Sequence, residues 1–127
     1  VGEPKINIRI PLLKTIESTG IDAAIAQYQQ IKSDKLISKN YTFRENELNN
    51  LGYNLINKKL IKEAVKIFTL NTKIYPGSWN AYDSLAEAHL LNGDKNSSLQ
   101  FYKRSLELNP KSKVGLKQVS KLEAELK

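Results

Sequence analysis

The sequence has no cysteine and no methionine, one tryptophan, one histidine and four prolines in 127 residues. Without cysteine there is no disulfide, no thiol nucleophile and no thiolate metal site, and this is compatible with reducing and oxidising compartments alike. Without methionine Val1 does not read as a native start, so the chain is expected to be a fragment or a processed product. Long apolar runs are missing too. The stretch Ile8 to Leu13 is broken by Arg9 and Pro11 and falls far short of the roughly 20 residues that span a bilayer. No signal-peptide pattern opens the chain, and the compartment stays open between cytoplasm and export.

What is present is 40% hydrophobic and 26% charged residues, enough for one core in one domain, with a net charge of +7. Such a charge invites a nucleic-acid reading, because clustered Lys and Arg release counterions from phosphates. The lysines are instead spread along the chain at positions a helix turns to solvent, from Lys58, Lys59, Lys62 and Lys66 to Lys117 and Lys121. No interleaved aromatic and basic motif stands out, so nucleic acid is not an expected partner.

An internal repeat organises the chain. Leu48, Leu51, Gly52, Leu55, Ala64, Phe68 and Pro76 recur 34 residues later as Tyr82, Leu85, Ala86, His89, Ser98, Tyr102 and Pro110. Val65 with Leu99, Ile67 with Phe101 and Ile74 with Leu108 keep the same register. Within each copy apolar residues fall at i, i+3, i+4 and i+7, which predicts two amphipathic helices per repeat. Thr42 with Glu45 has capping-box spacing, Ser78 and Asp94 can cap the helices that follow them, and Pro76 and Pro110 stop the helices before them. The expected helices are 45–57, 60–74, 78–91, 94–108 and 112–126. Upstream, residues 10–18 and Ile21 to Tyr28 read as a divergent helix pair. Its offset of 40 residues requires about six extra residues in the Ser33 to Phe43 segment, read as a loop. Leu116, Val119 and Ser120 repeat Leu48, Leu51 and Gly52 after 68 residues and read as half a repeat used as a cap, its apolar face Leu116, Val119 and Leu122 covering Leu99, Tyr102 and Leu106.

The small residues explain the spacing. Gly52 and Ala86 on the first helices let the second helices approach closely, and Ala64 and Ser98 do the same in return, while Leu48, Leu51, Phe68, Tyr82, Leu85 and Tyr102 fill the interior. At these residues the chain resembles the tetratricopeptide-repeat family, whose signature is W-x2-L-G-x2-Y, A-x3-F and P over 34 residues. Leu48 and Tyr82 stand at the Trp place, Leu55 and His89 at the Tyr place, and Ser98 at the Ala place. The resemblance implies an all-α, right-handed α-α superhelix of helix-turn-helix repeats, about seven helices with a C-terminal capping helix. It further implies a single domain over 1–127: a divergent repeat 5–38, a loop insertion 39–44, repeats 45–78 and 79–112, and a cap 113–127. A narrower resemblance, carried by the strings Glu47 to Tyr53, Ser78 to Leu85 and Gly20 to Tyr28, is to the repeat tails of bacterial serine hydrolases of the β-lactamase and penicillin-binding class. It implies a non-catalytic accessory domain that packs on a hydrolase domain of the same polypeptide.

Catalytic patterns are missing. There is no G-x-S-x-G, no S-x-x-K and no phosphate-binding Gly loop. His89 stands at a packing position, and a metal would require more donors than it supplies. Asp83 and Glu87 share a helix face, and without a third ligand they read as a solvated acidic face. Trp79, at a helix entry, reads equally as a staple on its neighbour or as an exposed contact anchor. Neither a catalytic residue, a cofactor nor a metal is expected. The family resemblance places the first helix of each pair on the concave face, which would bring Asn46, Asn49, Asn50, Tyr53, Ile56 and Asn57 beside Asn80, Asp83, Ser84, Glu87 and Leu90, with Lys117 or Lys121 from the cap. Asn and Tyr suit hydrogen bonding to an extended peptide backbone. The basic clamp that holds a C-terminal carboxylate in some relatives would need Lys or Arg where this chain has Asn49, Asn80 and Ser84. The partner is therefore expected to be a peptide or a protein surface of another kind.

Overall fold

The computed structural model describes residues 4–127, and these form an all-α helical repeat with eight helices among them. Two compact units are distinguished, one running through Leu51 and the other over Gly52–Lys127.

In the first unit α1 (Arg9–Ser18) begins where Asn7 Oδ1 accepts the Arg9 N–H at 2.9 Å, and Pro11 falls in its first turn, where a missing N–H costs nothing. Helix α2 (Ile21–Ser33) follows Gly20, whose φ of 115° only glycine adopts without strain. Leu12 and Ile16 of α1 and Ala24, Tyr28 and Ile31 of α2 are buried, at helical spacing. The segment expected to be a loop is ordered differently. Asp34 Oδ1 accepts the Leu36 and Ile37 N–H groups at 3.0 and 3.3 Å and starts a short helix, α3 (Lys35–Ser38). This helix is the one beyond the expected seven. After it, β2 (Tyr41–Thr42) pairs in parallel with β1 (Ile6–Asn7), Ile6 opposite Tyr41 and Asn7 opposite Thr42. A pairing between two-residue strands so far apart in sequence leaves no local pattern to read.

Helix α4 (Glu45–Asn57) starts as expected, but the capping carboxylate is Glu47 and not Glu45. Glu47 accepts from the Arg44 N–H at 3.4 Å and from Thr42 Oγ1 at 2.6 Å. Arg44 is the residue before the helix, so Glu47 holds the third helical position from which a side chain reaches back to the cap.

The second unit continues with α5 (Ile61–Ile74), α6 (Trp79–Leu91), α7 (Lys95–Leu108) and α8 (Lys113–Glu125), each packed on the next. The expected bounds hold within a residue at each end. Ser78 Oγ accepts from Ala81 N–H at 3.1 Å, Asp94 Oδ1 from Ser97 N–H at 3.0 Å and Ser112 Oγ from Gly115 N–H at 3.1 Å. The interior is built from Ala64, Ile67, Phe68, Ala81, Leu85, Ala86, Ala88, Tyr102 and Leu122, each large side chain contributing roughly 1.5–3 kcal/mol. Two expectations are corrected. Tyr82 is only half-buried, its ring stacked 6.3 Å from Phe101 with the Arg104 guanidinium 5.6 Å away on the wet side. On α8 Leu116 is 53% exposed, and the buried face is Gly115 and Leu122 with half-buried Val119. The reason lies in the repeat register: Leu116 occupies the place of Tyr82, which faces Phe101 on the following helix, and no helix follows α8 among the described residues.

The two repeat turns use one geometry with different residues. Gly93 (φ 81°) lies one repeat after Lys59 (φ 64°), and each turn closes with a matching hydrogen bond, Leu60 N–H to Leu55 O at 2.8 Å and Asp94 N–H to His89 O at 2.9 Å. A lysine in the left-handed region carries a strain of about 1–2 kcal/mol, partly offset by the larger chain entropy that glycine loses on folding. Lys59→Gly is therefore expected to raise stability by about 0.5–1 kcal/mol, read as a higher urea midpoint at an unchanged slope.

Candidate functional site

The repeat register places Tyr53 of α4 and Glu87 of α6 at equivalent positions, and the two side chains meet. Tyr53 Oη donates to Glu87 Oε2 at 2.6 Å and stands 3.2 Å from Ser84 Oγ, while its ring lies edge-on to Phe68 at 5.2 Å. Packing against Phe68 thus fixes the phenol on one side, and the carboxylate fixes it on the other. Burial, reinforced by the hydrogen bond to Glu87, pushes the Tyr53 hydroxyl up to about 12. It stays protonated and remains a donor throughout the neutral range.

One turn away on α6, Asp83 faces α7. Ser105 Oγ lies 3.4 Å from Asp83 Oδ1 and 3.0 Å from the Trp79 carbonyl, so its single proton serves the carbonyl or the carboxylate. Asp83 and Glu87 are half-buried. The solvated acidic face read from the sequence is therefore corrected: each carboxylate is drawn into hydrogen bonding with another helix, Glu87 with Tyr53 beside Ser84 and, one turn away, Asp83 with Ser105. Burial is the largest influence on Asp83 and raises its pKa above the ordinary value; the Ser105 hydroxyl opposes the rise, and the Glu87 charge adds to it. Burial likewise raises the Tyr102 hydroxyl, with Asp83 and Glu87 as further causes. A raised carboxyl favours folding most when protonated, below its ordinary pKa, and that contribution is lost as pH rises through the folded value. Asp83→Asn is thus expected to melt above the parent at pH 7, with the gap closing below about pH 4, as followed by circular dichroism.

The remaining residues expected on this face are distributed as follows. Asn57 and Asn80 are exposed, Ile56 is half-buried, and Lys117 is exposed on α8. Leu90 is half-buried against the cluster of Ala86, Tyr102 and Leu122. Asn46 and Asn50 are exposed and Asn49 is half-buried on the first half of α4, in the other unit. Ser105 was missed from the sequence. A signal existed, because it lies one repeat after Asn71, and α5 and α7 thus bury a polar residue at the same register. Trp79 is 41% exposed, and its carbonyl rather than its ring is tied to the cluster.

His89 stacks on Phe101 at 5.3 Å with its Nδ1 3.7 Å from Asp94 Oδ2. Burial lowers its pKa despite the Asp94 charge, so the imidazole is neutral at pH 7. Among the described residues no three His, Asp or Glu side chains stand close enough to hold a metal ion, and no helix is long and apolar enough to cross a membrane.

No family model matches the chain, and no curated protein matches it. Solved structures do. PcrH in complex with the chaperone binding region of PopB is similar with a TM-score of 0.54 and 13% identity over 92% of this chain and 90% of that one. PcrH from Pseudomonas aeruginosa is similar with the same TM-score and identity over 92% and 84%. At this identity the likeness concerns the helical, tetratricopeptide-like fold.

Proposed function

We propose that this chain is a non-catalytic protein-interaction module, and that the polar face of α4, α6 and α8 in the second unit receives an extended peptide or a partner surface. The observation that carries this reading is the cluster of Tyr53, Ser84 and Glu87, extended by Asp83 and Ser105. The half-buried Asp83 carboxylate has no cationic partner among the described residues and only a hydroxyl shared with the Trp79 carbonyl, which is unfavourable in the free protein, and donors supplied by a ligand relieve it. The face is rich in acceptors, so N–H groups of a peptide backbone and ammonium or guanidinium side chains complement it. That a PcrH structure contains the chaperone binding region of PopB supports the reading, since a fold of this kind holds a segment of another protein there. The comparisons give no support to the narrower reading of a hydrolase tail.

The test is selection of binders from a random peptide library against the whole chain, followed by fluorescence-polarisation titration. Tyr53→Phe and Glu87→Gln are expected to weaken selected peptides about tenfold, in the range of a lost charge-assisted hydrogen bond. Peptides that bind both variants as tightly as the parent would place the interaction elsewhere.

A further inference from the structure

The first unit carries a concentration of positive charge that the helical repeat does not require. Lys5, Lys32, Lys39 and Arg44 line one cleft of about 580 Å³ together with Tyr41 and Phe43, and no carboxylate lines it. An adjoining cleft of about 490 Å³ shares Lys5, Lys39 and Tyr41 and adds the aliphatic side chains of Ile6 and Ile37. The fold brings these cations together from four separate segments. Lys5 precedes β1, Lys39 and Arg44 flank β2, and the β1–β2 pairing, with Ile6 N–H on Asn40 O at 2.8 Å, ties the two strands side by side. Lys32 comes from the last turn of α2. Its Nζ donates to Tyr28 Oη at 3.3 Å and lies 5.6 and 5.9 Å from the Tyr28 and Phe43 ring centroids. Aromatic rings therefore hold this ammonium at the cleft.

Four like charges around one concave surface repel one another and focus a positive potential into it. A multiply charged anion relieves that repulsion, and Lys and Arg donors are suited to the several oxygens of a phosphate. We propose that this cleft is a binding site for a phosphate-bearing ligand, which neither the repeat fold nor the peptide-binding reading of the second unit calls for. Two sources share the chemistry, a soluble phosphate compound and an anionic phospholipid headgroup. The aliphatic residues of the adjoining cleft, Ile6 and Ile37, which are 47% and 40% exposed, give the second source a place for its apolar part.

The experiment titrates the whole chain with inorganic pyrophosphate, following backbone amide shifts, and separately sediments it with phosphatidylcholine vesicles with and without phosphatidylglycerol. Each is run for the parent, Lys39→Glu, Arg44→Glu, Ile37→Asp and the control Lys14→Glu, which lies on α1 outside both clefts. Thermal melts confirm that each variant is folded. Saturable shifts confined to residues of the cleft, weakened about tenfold or more by Lys39→Glu and Arg44→Glu but not by Lys14→Glu, establish the site. Sedimentation only with phosphatidylglycerol, lost in Ile37→Asp, identifies the headgroup; pyrophosphate binding without sedimentation identifies a soluble ligand. The proposal is overturned if neither probe binds at physiological salt, if Lys14→Glu weakens binding as much as Lys39→Glu, or if polyglutamate binds as tightly as pyrophosphate.

Discussion

Gly52→Ala is expected to destabilise the second unit by about 2–3 kcal/mol, although alanine is the better helix former by about 1 kcal/mol. A Cβ at residue 52 would stand inside the van der Waals envelope of the Phe68 ring at Cδ1, Cε1 and Cζ. The ring has nowhere to go. Phe68 is fully buried, and the Tyr53 ring is set edge-on against it at 5.2 Å. The overlap therefore has to be relieved by moving Phe68 and the turn of α5 that carries it away from Gly52, which loosens the packing around that ring. Urea denaturation measures the loss. Phe68→Leu in the same background is expected to recover part of it, and the two substitutions should couple strongly in a double-mutant cycle. A more stable Gly52→Ala would mean that helix propensity outweighs the contact and that the small residue is not what sets the helix spacing. The same substitution should also disturb Tyr53 and through it the Glu87 hydrogen bond, so any peptide affinity of this face is expected to fall with the stability.

Removal of residues 113–127 is expected to cost several kcal/mol and to induce self-association. Leu122 is buried in one cluster with Ala86 and Tyr102, with Leu90, Leu99, Phe101 and Val119 packed around it. Gly115 lies so near α7 that a Cβ there would meet Leu106 Cδ2 at 2.9 Å. Without α8 this surface faces water, and solenoid ends lacking a polar cover associate with one another. The ion pairs that α8 makes, Lys95 with Glu125 at 3.2 Å and Lys103 with Glu123 at 3.6 Å, are exposed and contribute little. The apolar contact is what holds the helix, so Leu122→Ala in the whole chain should account for about 2–5 kcal/mol on its own. Light scattering and thermal melts on both variants decide it. A truncated chain that stays monomeric with unchanged melting would make α8 a detachable segment, and its lysines the more attractive partner surface.

The helices of the repeat were legible because their signals are local. A period of 3.6 residues, Ser78 and Asp94 as caps and Pro76 and Pro110 as stops all act within one turn of the chain, where neighbours in sequence are neighbours in space. The 34-residue recurrence likewise singled out Gly52, Ala64, Ala86 and Ser98 as contact points, because close helix packing admits only small side chains there, and all four are buried. Tertiary structure alone decided the rest. Ile6 pairs with Tyr41 across three intervening helices, an encounter that periodicity does not encode. Leu116 lies exposed while Gly115 is buried, because burial depends on which neighbours a helix packs against, here α7, and not on its own apolar stripe. Asp83 and Glu87 are ordinary surface carboxylates by their spacing. They become half-buried and hydrogen-bonded only because Ser105 and Tyr53 are brought to them from 22 and 34 residues away.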